Sequence, residues 1–88
     1  MSFEYDKNKS DSNKLKHGID FEEAKELWND LNAVEIKIKY PAEDRYVIFG
    51  CIDNKHWTAV ITYRNGKKRI ISVRRSRKEE KQIYEKNK

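Results

Sequence analysis

Cysteine is nearly absent: Cys51 stands alone among 88 residues, so no disulfide can form within the chain. A lone thiol suits a reducing compartment, and the cytoplasm is the expected location. One cysteine cannot build a zinc knuckle, and the two histidines, His17 and His56, lie far apart in sequence. No metal site and no cofactor is therefore expected. Three glycines supply no glycine-rich phosphate loop, and there is no G-x-S-x-G elbow or Cys–His pairing for nucleophilic catalysis. No apolar run approaches the roughly 20 residues a membrane helix needs. The first twelve residues hold no apolar stretch of the kind a signal peptide uses.

Charge is what the chain has in abundance. Charged residues make up 40% and hydrophobic residues 36%, and the mean hydropathy is -1.09. Such a composition borders on disorder. Two Trp, five Tyr and three Phe, with strand-like alternation over residues 45–73, argue instead for a folded middle with polar ends. The length fits a single domain, 1–88, with a thin core that gains from a partner. The net charge is +5 and the pI about 9.3. Residues 64–81 hold nine Lys or Arg and two acids, a local +7, so one segment supplies the whole surplus. Surfaces of this kind meet nucleic acid, anionic membranes or acidic proteins.

Residues 3–5 alternate as a short strand would. Asp6 is placed to cap a polar helix over 7–16 that Gly18 ends, and Leu15 is its only apolar residue. Asp20 and Glu23 have capping-box spacing ahead of a second helix over 21–29, its stripe formed by Phe21, Ala24, Leu27, Trp28 and Leu31. Residues 34–39 alternate as a half-buried strand, and 40–44, with Pro41, form a loop. Strands over 45–52, 55–64 and 67–74 are joined by Asp53-Asn54 and Asn65-Gly66, pairs suited to two-residue turns with positive φ at both positions. Ser76, with Glu79 three residues on, suits the cap of a basic helix to about residue 84. The class is α+β: a small antiparallel sheet with two N-terminal helices and one C-terminal helix.

Two-residue turns fix the register. Thr62 then pairs with Arg69 and lies opposite Arg45, and Val60 pairs with Ile71. One face carries Arg45, Thr62 and Arg69 in a row, flanked by Arg64 and Lys67, with Val47, Phe49, Val60, Ile71 and Val73 further along. The other carries Tyr46, Ile48, Trp57, Ala59, Ile61, Tyr63, Ile70 and Ser72. Neither face is purely polar, so both are partly covered. Two arginines across a threonine repel unless an anion lies between them; a phosphate fits, and so do Glu35, Glu43 or Asp44. His17, at a helix end, is either a general acid or base or a partner of the helix dipole. Tyr63, Trp57 and Tyr46 either stack on bases or pack under a helix. The basic stretch of Arg74, Arg75, Arg77, Lys78 and Lys81 is an RNA footprint, a solvated helix face or a surface for an acidic partner.

The ordered set of motifs resembles one family. Phe3-Glu4-Tyr5-Asp6, Lys9, Asn13 and Lys16-His17-Gly18-Ile19, with Phe21 and Ala24, look like the opening of BrnT toxins. The run from Thr62 through Asn65-Gly66 to Arg75 is similar to their most characteristic stretch, Glu43-Asp44-Arg45-Tyr46 with Gly50 resembles their acidic-Arg-aromatic strand, and Glu80 and Tyr84 fall on the last helix as in the family. Lys81, Ser76 and Val73 depart mildly from the pattern. The resemblance implies a RelE-like fold and metal-independent cleavage of RNA, in which the RNA's 2′-hydroxyl attacks the adjacent phosphate. On this basis Arg45, Arg64 and Arg69 are expected to stabilise charge, and His17 or Tyr63 to move protons. Lys16, Lys67, Arg74, Arg75, Arg77 and Lys78 are expected to hold flanking RNA. The implied partner is a BrnA-type antitoxin with a ribbon-helix-helix part, through which alone the toxin would meet operator DNA. A non-catalytic nucleic-acid binder, or a docking protein for an acidic partner, is the alternative from other classes.

Overall fold

The computed structural model describes residues 2–88. Strand β1 (Phe3–Glu4) leads into helix α1 (Lys7–His17), then α2 (Phe21–Ala24), which tightens into a 3₁₀ turn over Lys25–Asn29. Strands β2 (Val34–Ile38), β3 (Arg45–Ile52), β4 (Lys55–Arg64) and β5 (Lys67–Arg75) follow, and helix α3 (Lys78–Asn87) ends the chain. The sheet order is β1-β5-β4-β3-β2. The sheet is mixed, not purely antiparallel as expected, because β1 runs parallel to β5. Parallel neighbours need a long crossover, and here nearly the whole chain intervenes between the two strands.

Both hairpins form as the turn residues require. Asp53 (φ 50) and Asn54 (φ 65) close one, and Asn65 (φ 51) and Gly66 (φ 76) the other. Pairing starts in the expected register, with Thr62 opposite Arg69. It then slips: Ile61 pairs with Ile70 but Val60 pairs with Ser72, leaving Ile71 as an extra residue. The expected Val60–Ile71 pair is therefore absent. A bulge inverts the facing of every later side chain. Val73 turns to the helix face and is fully buried, while Arg74 reaches the opposite face. The pattern supplied no turn residue at Ile71 to announce this.

On the helix face, Ile19, Phe21, Ala24 and Leu27 pack on Ile48, Trp57, Ala59, Ile61, Ile70 and Val73. The stripe expected for the second helix ends early: Leu31 is fully exposed, because the helical turn stops at Asn29. Asp6 caps α1 by accepting from the backbone N–H groups of Asn8 and Lys9 (2.8 and 3.2 Å), and Gly18 (φ 79) ends it. Helix α1 docks through polar side chains, with Ser10 and Asn13 buried and Leu15 exposed.

Helix α3 covers one end of the other face. Tyr84 is buried and donates to Asp30 Oδ2 at 2.7 Å, and His56 Nε2 lies 2.8 Å from Glu85 Oε2. The N-cap is Arg77, not Ser76 as expected. Ser76 instead shares a 2.8 Å hydrogen bond with the Thr58 hydroxyl, and Glu80, not Glu79, accepts from the Arg77 backbone N–H at 2.7 Å.

Candidate functional site

The half of that face left open by α3 lies toward the Asn65-Gly66 turn, and it is where the arginines gather. The alternation of β3 and β4 brings Arg45 and Arg64 to this face, and Arg69 joins them from β5 before the bulge. The Thr62 hydroxyl donates to the Asp44 carbonyl at 2.8 Å, and Lys37 lies 3.2 Å from the Asp44 carboxylate. These contacts hold the loop ahead of β3 against the sheet, so Glu43 projects among the arginines.

Glu43 accepts two bonds from Arg64, from Nε at 3.1 Å and Nη2 at 3.0 Å. The Arg64 guanidinium holds its carboxyl below the usual carboxylate range, and the charges of Arg45 and Arg69 act in the same direction. One carboxylate therefore lies in the field of three arginines. Among the described residues, Arg69 has only a long ion-pair contact with Glu4, 3.6 Å between Nη1 and Oε2. Arg45 has less: its Nε is buried without a hydrogen-bond partner, and its guanidinium lies over the Tyr40 ring at 5.0 Å from the centroid. A buried donor left unmade costs about 1–3 kcal/mol, more when charged. Of the acidic partners open in the sequence, Glu43 takes Arg64, Asp44 takes Lys37 and Glu35 accepts from Tyr63, so none is left for Arg45. A cavity of about 300 Å³ opens beside Arg45, lined by Ile36, Ile38, Tyr40, Val47, Phe49, Val60, Arg74 and Glu80.

The other expected residues are dispersed. His17 is exposed at the end of α1, and the neighbouring Gly18 and Ile19 border a cavity with Asp53 and Lys55. That is the far end of β4, roughly 30 Å of strand from Arg64. Tyr63 lies on the helix face, its ring 4.8 Å from that of Tyr46 and its hydroxyl donating to Glu35 Oε1 at 3.0 Å. Partial burial and then Glu35 push its phenol up to about 12. Neither His17 nor Tyr63 joins the arginines. Lys67, paired with Arg64 across the turn, is exposed beside them. Lys16, Arg77 and Lys78 are exposed on or beside the helices. Arg75 stacks over Trp57 at 5.3 Å and donates to the His56 carbonyl.

Arg74 is committed to the fold. Its two terminal nitrogens donate to Glu80 at 2.8 Å each, and the Thr58 hydroxyl donates to the same carboxylate at 3.0 Å. Arg74 and these other donors lower Glu80 from its ordinary 4.5 to about 2. A carboxyl lowered on folding stabilises the folded state fully above its unfolded pKa, and that contribution fades as pH falls toward the folded value. Stability is thus expected to drop by about 3 kcal/mol between pH 4.5 and 2. Urea melts across that range should show a flatter profile for Glu80→Gln, with lower stability at pH 7. No local pattern announces this pair, since Arg74 and Glu80 sit six apart across a strand–helix junction.

A five-stranded sheet with helices on both faces, and a cluster of arginines at one open sheet end, defines a small basic α+β protein with an anion-receptive surface. The family model for the ribonuclease toxin, BrnT, of type II toxin-antitoxin systems matches residues 5–80. The chain belongs to that family and is a ribonuclease toxin of a type II toxin–antitoxin system, with RNA as its substrate and an antitoxin as its partner. Comparison with individual curated proteins found no match. No helix among the described residues is long and apolar enough to cross a membrane.

Proposed function

We propose that the chain cuts RNA internally without a metal ion at the Arg45–Arg64–Arg69 cluster: a 2′-hydroxyl attacks the adjacent phosphate and closes a 2′,3′-cyclic phosphate as the bond to the next nucleotide's 5′-oxygen breaks, that oxygen taking a proton from water. The observation that carries this reading is Arg45, whose Nε is buried and unpartnered, while the one carboxylate in its field, Glu43, is bonded to Arg64. The Glu43 carboxylate occupies the position a phosphate would take, and the incoming phosphate displaces it from Arg64. Guanidinium forks match phosphate oxygens and keep their charge, so they stabilise the extra negative charge of the transition state. Once released, Glu43 loses the cation that lowers its pKa and recovers basicity, which suits it to accept the 2′-hydroxyl proton. Lys67 steadies a neighbouring phosphate.

The partner in this reading is a BrnA-like antitoxin. It covers the same basic face and carries a ribbon-helix-helix part that binds operator DNA for the pair. The toxin acts in the cytoplasm on a RelE-like scaffold.

The test is a denaturing gel of end-labelled RNA treated with the purified protein, with and without EDTA, beside a folded Arg64→Ala, Arg69→Ala variant. Cleavage that survives EDTA, leaves 2′,3′-cyclic phosphate ends and vanishes in the variant is the expected result. RNA retained by well-folded wild type but never cut, with ribosomes or without, would instead make the chain a nucleic-acid binder.

A further inference from the structure

The opposite face of the same sheet end holds a second feature that the arginine cluster does not use. Phe3 and Lys68 are register partners facing the helices, while their neighbours Glu4 and Arg69 face the other way. Phe3, Lys25, Glu26, Trp28, Asn29 and Lys68 line a cavity of about 400 Å³. Phe3 and Trp28 meet edge to face, 5.0 Å between centroids. Lys25 lies 5.6 Å from the Phe3 ring, and its exposed pair with Glu22 costs little to break. Lys68 is 4% exposed, yet no carboxylate among the described residues pairs with it; its ammonium rests 5.5 Å from the Tyr63 ring. A buried lysine is normally paired. An unpaired one at the wall of an aromatic cavity indicates an anion that comes from outside.

We infer that this cavity takes one nucleotide of the RNA, its base against Trp28 and Phe3 and its phosphate on Lys68 and Lys25. The lining answers to each part of that ligand. Aromatic side chains stack on any base. Two ammonium groups take the phosphate, and Glu26 accepts from a base amine. The inference rests on the ribonuclease reading for its place along the substrate: a strand bound at Arg69 turns round the two-residue β1 edge and enters the cavity next. This nucleotide flanks the cleaved bond and gives the toxin a grip that a bare phosphate contact lacks.

The experiment uses tryptophan fluorescence of the full chain with a 2′-O-methyl tetranucleotide, which has no hydroxyl to attack with. Trp57 is buried in the core, so a saturable change absent in Trp28→Phe belongs to the cavity. Lys68→Met keeps the stem and its packing, removes only the charge and should fold. It is expected to weaken binding at least tenfold. Unchanged affinity in Lys68→Met, or a silent Trp28, in a protein that still cuts long RNA overturns the cavity and leaves the ribonuclease reading standing. A Trp28 response without cleavage of long RNA sustains the cavity and removes that reading. A response to poly-glutamate with the tetranucleotide silent assigns the cavity to an acidic peptide and overturns the inference.

Discussion

Replacing Arg45 by alanine is expected to slow RNA cleavage by about a hundredfold to a thousandfold and to leave the fold intact. The magnitude is that of one preorganised donor lost from a developing charge. The intact fold follows from the structure around it: Arg45 makes no ion pair among the described residues, and its Nε is an orphan inside the protein. Removing it relieves a desolvation cost and loses only its packing on Tyr40. Arginines that pair in the free protein behave differently. Arg64→Ala strips Glu43 of its partner and leaves a carboxylate beside Arg45 and Arg69, where it competes with the substrate, so its effect mixes loss of a ligand with gain of a rival. Arg45 is the cleaner probe. Single-turnover cleavage and a thermal melt on the same preparation decide the matter. An unchanged Tm with cleavage within tenfold of wild type would remove Arg45 from the phosphate site and, with it, the argument for this face.

The arginine cluster was legible because strand alternation and two-residue turns are local rules. Asn65-Gly66 sets Arg64 against Lys67 and Thr62 against Arg69 without any knowledge of the rest of the chain. The same rules failed six residues on. The bulge at Ile71 turns Val73 under the helices in place of Ser72, a change that could not be read from the pattern. The proton-transfer candidates, His17 and Tyr63, lie apart from the arginines, at the end of α1 and on the helix face, and placement across layers is a tertiary property. Glu43 was visible only as a possible ion-pair partner; its position among three charges depends on Thr62 and Lys37 pinning the loop. Lys68 looked like one lysine in a basic run. Only the docking of Trp28 and Phe3 beside it makes its burial meaningful.

Asn13→Ala is expected to cost about 3 kcal/mol of stability, roughly 15 °C in Tm for a chain of this size. Sequence pattern makes α1 look dispensable, since its one leucine is 89% exposed. Its attachment lies elsewhere. The Asn13 amide donates to the carbonyls of Ile19 and Val73 at 2.8 Å each and accepts from the Val73 N–H at 3.2 Å. Ser10 adds a bond from the Phe21 N–H at 2.9 Å. Among the described residues β1 pairs with β5 only at Lys68 and Arg69, so beyond Arg69 the β5 edge has no strand beside it there. The Asn13 side chain, an amide like the backbone itself, stands in for the missing strand. It also ties α1 to the start of α2 and to the bulged strand that carries Arg69 at one end and Arg74 at the other. Alanine leaves two carbonyls and an N–H without these partners in a buried setting. Aspartate should be worse despite its similar shape, because its carboxylate keeps the bond from Val73 but faces two carbonyls with nothing to donate. Urea melts at neutral pH should therefore order the proteins as wild type, Asn13→Ala, then Asn13→Asp. An alanine variant within 1 kcal/mol of wild type would mean that water replaces the amide at no cost, and the edge of β5 would not depend on α1.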